Sequence, residues 1–211
     1  MDYINKAENL SQYLLTIIND ILDLSRIEAG KLELEHKPFD LRDVAQKLDN
    51  MFRSTVEAKG VEFIIDMGQF ENYCVIGDET RLCQVLINFM SNAQKFTSKG
   101  TISVTFSQML YEKGKLDFMV KVHDTGIGIK AEFLDKIFLP FEQESTNITH
   151  KYGGSGLGMA ITDKIVRIMG GTIDIDSLQG KGSDFTVFLS LPEADPEQAK
   201  KIPAKSGVQV S

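Results

Sequence analysis

The 211-residue chain predicts an α+β protein: one long bundle-forming helix, then a mixed sheet covered by helices on one face. Three observations predict it. Apolar residues recur in heptads along the first two dozen positions. Beyond them, amphipathic helical stretches alternate with short β-branched and aromatic runs. The last two pairs of strands are joined by short glycine turns. Those pairs are hairpins, which a doubly wound nucleotide fold lacks.

The elements follow in order. Tyr3, Ala7, Leu10, Leu14, Ile17, Ile21 and Leu24 step by four and three, a heptad seam. Ile18, Leu22 and Ile27 widen the stripe to bundle width, and Gly30 stops the helix. The chain offers this helix no sequence partner. Its apolar face therefore predicts pairing with a second copy or a segment outside the chain; the plainer alternative is a helix lying on its own domain. A second amphipathic helix is predicted from Leu41 to Lys59, closed by Gly60. Strands are predicted at Val61–Asp66 and Tyr73–Ile76. Asp78 is a good N-cap for a helix over Glu79–Phe96. Thr101–Phe106 and Leu116–Val122 alternate as strands around Lys113 and Gly114. An irregular segment, Thr125–Gly154, precedes a helix at Ser155–Met169. Thr172–Ser177 and Phe185–Leu191 are the last predicted strands. Three regions result: residues 1–31, the long helix; 32–192, the sheet domain; and 193–211, a polar linker with Pro196 and Pro203.

Composition bounds the function. Hydrophobic content of 42% and charged content of 25% are ordinary for a globular chain. A net charge of −7 argues against nucleic acid as a partner, which needs a basic face. No apolar run reaches bilayer length. Cys74 and Cys83 come without paired histidines, so they predict reduced thiols in a cytoplasmic protein and no cysteine–histidine metal site.

The chemistry concentrates in four places. Asn88, Asn92 and Lys95 follow i, i+4, i+7 and share one helix stripe. Amides usually prefer caps and turns. Their oxygens are hard ligands suited to Mg²⁺, and the lysine reaches a phosphate as a point charge; an ordinary solvated face is the alternative. Asp124 ends a predicted strand before Thr125, Gly126, Ile127 and Gly128, where a carboxylate could accept from an exocyclic amine. Gly153, Gly154, Ser155, Gly156, Leu157 and Gly158 open a helix, whose free N–H groups favour an anion. They match neither the P-loop nor the dinucleotide pattern. Between these glycine segments lie Phe138 and Phe141.

Together these segments resemble sensor histidine kinases. Asn88 to Thr97 looks like their N box, Asp124 to Ile129 the G1 box and Phe138 to Phe141 the F box. Gly154 to Gly158 looks like the G2 box, and Gly180 to Thr186 the final glycine segment. The order is that of the family, and the resemblance covers about residues 1–191. The first helix is similar to the second helix of the dimerisation and histidine-phosphotransfer module.

The resemblance implies a Bergerat-type two-layer sandwich that binds Mg-ATP. Asn92 would ligate Mg²⁺, with Asn88 on the ion or its water; Asn88 and Lys95 would be the catalytic pair. Phe96 would pack near adenine or ribose. Asp124 would read the adenine amine, through a water shared with Thr186, and Gly126, Gly128 and Ile129 would belong to the same ATP-binding set. Residues 129–153 would form a lid anchored by Phe138 and Phe141. Gly154, Ser155, Gly156, Leu157 and Gly158 would line the phosphates. The reaction would be γ-phosphoryl transfer to a histidine, resting on positioning and charge neutralisation. Implied partners are a response-regulator receiver domain, a phosphotransfer helix of the same or a partner protomer, and a second copy through residues 3–29. A longer parent protein would suit an inner-membrane anchor.

The departures from the family pattern are specific. No phosphoacceptor is visible: His36 lies in a connector, His123 at a strand end, His150 in the lid. The chain alone is therefore expected to bind Mg-ATP without phosphorylating itself. His150 stands where relatives carry arginine. Gln94 replaces a usual apolar residue and Met159 a leucine, with little expected from either. Two rivals remain. Hydrolases of the same fold carry glutamate at the position of Asn88, and an amide cannot be that base. A degenerate scaffold module would not need Asn92, Asp124 and both glycine segments intact.

Overall fold

The structure is a computed structural model that describes residues 2–142 and 155–199, leaving aside the side chains of 2–10, 12, 13 and 16. In chain order the elements are α1 (Asp2–Glu28), β1 (Lys37–Asp40), α2 (Leu41–Glu57), β2 (Val61–Asp66), β3 (Cys74–Gly77) and α3 (Glu79–Phe96). Then come β4 (Gly100–Glu112), β5 (Lys115–Asp124), α4 (Ala131–Leu134), α5 (Gly158–Ile168), β6 (Thr172–Leu178), β7 (Gly182–Pro192) and α6 (Pro196–Ala199).

Five strands form one mixed sheet in the order β2-β4-β5-β7-β6, and β1 pairs with β3 in a separate ribbon. Only β2 and β4 run parallel; the rest of the large sheet is antiparallel. The alternation of β5 shows why one face is covered. Leu116, Phe118, Val120 and Val122 are buried, and the residues between them are not. Strand period two puts these four on one side. Ile102, Val104 and Phe106 of β4 and Phe185, Val187 and Leu189 of β7 join them. Against this face lie Val44, Leu48 and Phe52 of α2, Leu82, Leu86 and Phe89 of α3, and Ile161 and Ile165 of α5. Phe89 stacks on Phe185 with ring centroids 5.1 Å apart, joining the central helix to the sheet. The α+β sandwich expected from the sequence is the fold observed.

The details differ in three places. The β4–β5 hairpin extends well beyond the alternating cores, to Glu112 and Lys115, through a bulge between Gln108 and Leu110. The helix expected from Ser155 starts at Gly158, because the Leu157 N–H is turned back onto Ser155 Oγ at 3.2 Å. Glu193 and Ala194, expected to begin a linker, are tied to the domain instead, with 195–198 exposed. Ala194 is buried and donates its N–H to the Cys74 carbonyl at 2.9 Å. The Glu193 carboxylate accepts from Asn72 and from the Tyr111 hydroxyl, both at 2.8 Å, and from the Gly114 N–H at 3.1 Å.

Helix α1 divides into two parts. Near its end, Leu24 and Ile27 pack against the core. There Asp23 accepts from Arg81 at 3.1 Å and Gln84 at 2.9 Å, and Glu28 pairs with Lys164 at 3.1 Å. Earlier in the helix, Leu14, Leu15, Ile18, Ile21 and Leu22 are exposed. The end of the helix thus lies on its own domain, while the earlier part of the stripe is left uncovered. No helix among the described residues is long and apolar enough to cross a membrane. Burial pushes the Cys74 and Cys83 thiols up to about 11, so both stay protonated.

Candidate nucleotide site

The first end of the site grows out of β5. Asp124 continues the buried register of Leu116 to Val122, so its side chain enters the space between sheet and helices. It is 4% exposed. Oδ1 accepts from the Gly126 N–H at 2.8 Å and from the Thr97 hydroxyl at 3.4 Å. Oδ2 has no partner among the described residues. Burial pushes this carboxyl above its ordinary value, and the two hydrogen bonds pull it partly back.

Glycines let two turns close around this carboxylate. A Cβ on Gly126 would lie 2.5 Å from the Phe96 carbonyl and 2.7 Å from Asp124 Oδ1. At Gly182, with φ of +119°, it would lie 1.9 Å from the Asp124 carbonyl oxygen. The Ile127 N–H donates to the Phe96 carbonyl at 3.3 Å, and the Gly180 N–H to the Ile127 carbonyl at 2.7 Å. Ile129 donates its N–H to Ser177 Oγ at 2.9 Å and packs on the core.

One expected partner is on the wrong face. In the β5–β7 register Thr186 lies opposite Lys121, whereas Ser183 lies opposite Asp124. Directly opposed residues share a face of the sheet. Thr186 is therefore on the far side, and the β7 hydroxyl beside Asp124 belongs to Ser183. Ser183 is buried and accepts from Ser177 Oγ at 2.9 Å. Counting parity back from Phe185, which faces the core, would have found it.

The second end lies where α3 meets α5. Asn88 and Asn92 are half-buried on one stripe of α3. The Asn88 amide nitrogen donates to Thr162 Oγ1 at 2.9 Å and approaches Met159 Sδ at 3.4 Å; that of Asn92 approaches the same sulfur at 3.5 Å. The two amide oxygens accept no hydrogen bond from the described residues. Two hard oxygens one helical turn apart fit a divalent cation that keeps most of its waters. Lys95 Nζ sits 4.8 Å above the Phe96 ring, and burial lowers its pKa.

The start of α5 is held by α1. Ser155 Oγ donates to Asp20 Oδ2 at 2.8 Å while accepting the Leu157 N–H. Burial raises the Asp20 carboxyl most, the Ser155 bond lowers it and the nearby Asp23 charge raises it further. Asp20, Thr97, Thr162 and Ser177 were not singled out as site residues from sequence; only their fold neighbours give them a role.

The lid anchors are also corrected. Phe141 is 69% exposed and has φ of +66°, an uncommon conformation for a bulky residue. Its backbone does the holding: its N–H donates to the Gly156 carbonyl at 3.0 Å. Phe138 is half-buried, while Ile137 is the residue here that packs on the core. Gly154, His150 and the rest of 143–154 lie outside the described residues.

A carboxylate at a strand end, an amide stripe on the covering helix and a glycine-rich helix start, all on one side of a mixed sheet, define the Bergerat-type nucleotide-binding domain. The chain belongs to the family described as Histidine kinase-, DNA gyrase B-, and HSP90-like ATPase, which matches residues 77–193. It is 38% identical over 193 residues to the autoinducer 2 sensor kinase/phosphatase LuxQ of Vibrio parahaemolyticus, covering 91% of this chain and 22% of that protein. It thus spans about a fifth of the length of such relatives. Among solved structures, full-length ShkA in complex with AMPPNP aligns with a TM-score of 0.76 and 28% identity, over 92% of this chain and 40% of that one. Histidine kinase ThkA in complex with response regulator protein TrrA aligns at 0.64 and 27%, over 96% and 52%.

Proposed function

We propose that this chain is the ATP-binding catalytic unit of a sensor histidine kinase, and that it presents the γ-phosphoryl of Mg-ATP to a histidine on another helix. The observation that carries this reading is a buried, half-satisfied Asp124 at the end of β5 together with the Asn88/Asn92 stripe of α3, whose amide nitrogens are engaged by α5.

The roles follow from the chemistry of each group. Asp124 Oδ2 accepts the exocyclic amine of adenine, with Ser183 and Thr97 able to hold a water beside it. Gly126 and Gly128 let the turn beside Asp124 close against the Phe96 and Leu178 carbonyls, where a Cβ would lie 2.5 and 2.1 Å away. Asn88 and Asn92 hold Mg²⁺ through their amide oxygens; the ion, when bound, neutralises charge on the transferring phosphoryl group. Lys95 adds a positive charge to the same end. The helix start at Gly156–Gly158 offers backbone N–H groups to phosphate oxygens. Because residue 88 is an amide, no side chain there can take a proton from water, which disfavours hydrolysis and leaves the phosphoryl group for an imidazole.

The complex of ThkA with its response regulator supports a receiver domain as the downstream partner. The exposed stripe of Leu14, Ile18, Ile21 and Leu22 supports a second copy as the partner of α1, making a homodimer through residues 3–29. The parent protein would work in the cytoplasm.

Titration with ATP, with and without Mg²⁺, tests the site. Saturable binding that Mg²⁺ strengthens is expected, and no saturation at millimolar ATP would overturn the reading. With labelled ATP, acid-labile phosphate should appear only when a helix bearing an acceptor histidine is supplied.

A further inference from the structure

The reading of the asparagine pair as metal ligands leaves open what aims their amides. An amide has two unlike edges, and only one orientation puts its oxygen toward a cation. A methionine sulfur can accept a hydrogen bond but has no proton to donate. Whichever amide edge faces Met159 Sδ is therefore the N–H edge. Both amides meet this one atom, Asn88 at 3.4 Å and Asn92 at 3.5 Å.

Thr162, one helical turn on from Gly158, adds a second constraint. It is 2% exposed, and its hydroxyl accepts the Asn88 amide at 2.9 Å. At the other end of the same amide, Gly158 leaves space. A Cβ there would lie 2.6 Å from Asn88 Oδ1 and 3.4 Å from the nitrogen. The Asn88 amide thus lies along α5, nitrogen toward Thr162 and oxygen toward the start of the helix. That is the end at which phosphate and metal would sit.

We propose that Met159 and Thr162 are positioning residues: they fix the Asn88 and Asn92 amides with their oxygens turned to the metal before nucleotide arrives. The proposal rests on the Mg-ATP reading above. Its physical content is preorganisation, since a ligand already in its bound rotamer loses little freedom on binding. It also gives a purpose to a departure from the family pattern. Leucine has nearly the volume of methionine but no lone pair, so Met159→Leu removes the acceptor and keeps the packing. Thr162→Val does the same for the hydroxyl, and Thr162→Ser keeps the hydroxyl while losing a methyl.

The test compares nucleotide affinity in Mg²⁺ with affinity in chelator, on the chain and the three variants. In Met159→Leu and Thr162→Val the gain in affinity from Mg²⁺ should shrink by about tenfold, the low end for groups that orient metal ligands. Affinity in chelator should stay unchanged, and Thr162→Ser should restore most of the gain. A second measurement needs no metal. The Asn88 side-chain amide protons should exchange with solvent faster in Thr162→Val than in the parent chain. If a folded Met159→Leu/Thr162→Val double variant keeps the full Mg²⁺ gain and the slow amide exchange, the proposal is wrong. A parent chain with no Mg²⁺-dependent nucleotide binding would instead overturn the site reading on which it rests.

Discussion

The two ends of the site are built on different plans. The Asp124 end is made by one sheet and the turns that leave it. Asp124, Thr97, Gly126, Ser177, Gly182 and Ser183 all belong to the sheet domain, and each is tied to another by backbone or hydroxyl bonds. The Asn88 end is an assembly of three helices. α3 supplies the amides, α5 the glycine start and the orienting side chains, and α1 reaches in with Asp20. A site element fixed by strand register can move only by unfolding. One fixed by side chains between helices can be reset by sliding a helix, because those contacts are few and partly solvated. On the proposed reading, base recognition would belong to the rigid end and phosphate chemistry to the adjustable one.

If the first end is as rigid as this, a methyl added there should damage the fold before it damages binding. Gly182→Ala is expected to have the largest effect. Its Cβ would lie 1.9 Å from the Asp124 carbonyl oxygen, at a φ of +119° that other residues rarely adopt. A loss of about 2–4 kcal/mol is expected, combining backbone strain and overpacking. Urea denaturation would measure it, and a loss below about 1 kcal/mol would mean that the turn yields.

Asp124→Asn should separate binding from stability. Adenine recognition loses its charged acceptor, and ATP affinity should fall by about a hundredfold, or roughly 2–3 kcal/mol. Stability should move the other way. Burial raises this carboxyl in the folded chain above its unfolded value. The folded state then holds the proton more tightly, so the ionised group destabilises the fold above its raised pKa. That penalty disappears as pH falls through the raised pKa towards the unfolded one. The variant should thus be more stable than the parent at neutral pH, with the difference closing in acid. Denaturation curves at neutral and acid pH would check the sign; a less stable variant at neutral pH would show that its hydrogen bonds outweigh the burial.

At the adjustable end the same kind of change should spare the fold. Gly158 lies at the first position of α5 with an ordinary φ, and alanine is the better helix former. The Cβ would meet only a side chain, Asn88 Oδ1, at 2.6 Å. Gly158→Ala should leave the melting temperature nearly unchanged and weaken Mg-ATP binding about tenfold, or about 1.4 kcal/mol. Equal losses of stability at Gly158 and Gly182 would erase the distinction between the two ends.

The same contrast governs what the sequence discloses. At the first end the sequence marked Asp124 and the turn glycines, because strand ends and turn glycines follow local rules, but not the hydroxyls of Thr97, Ser177 and Ser183. Where it failed, at Thr186, the failure was one of parity: the residue sits one position off the face that Phe185 defines. The second end was legible only on α3, where Asn88, Asn92 and Lys95 share a helical stripe. Thr162 and Met159 follow no local rule that marks them, and their roles come from a helix seventy residues away. The F-box phenylalanines misled for a related reason. Their spacing gives apolar character, but a backbone at φ of +66° turns Phe141 outward. Glu193 and Ala194 looked like linker because an acidic and a small residue carry no pattern; three distant donors to one carboxylate hold them in place.

The smallest expected effect probes the link between α1 and the phosphate end. Asp20 brings a half-buried carboxylate to Ser155, whose hydroxyl also holds the Leu157 N–H. A helix start favours an anion, and Asp20 supplies one from within the chain. Incoming phosphates would meet both a like charge and an N–H already engaged. Asp20→Asn removes the charge and keeps an acceptor for Ser155. ATP should then bind about two- to fivefold tighter, the range for one charge near a helix terminus. The gain should shrink at high salt, because part of it is a screened repulsion. Nucleotide titration at two ionic strengths would show it. Weaker binding in the variant would mean that Asp20 supports the phosphate end through Ser155 rather than competing with its ligand, and α1 would then be part of the site in its working state.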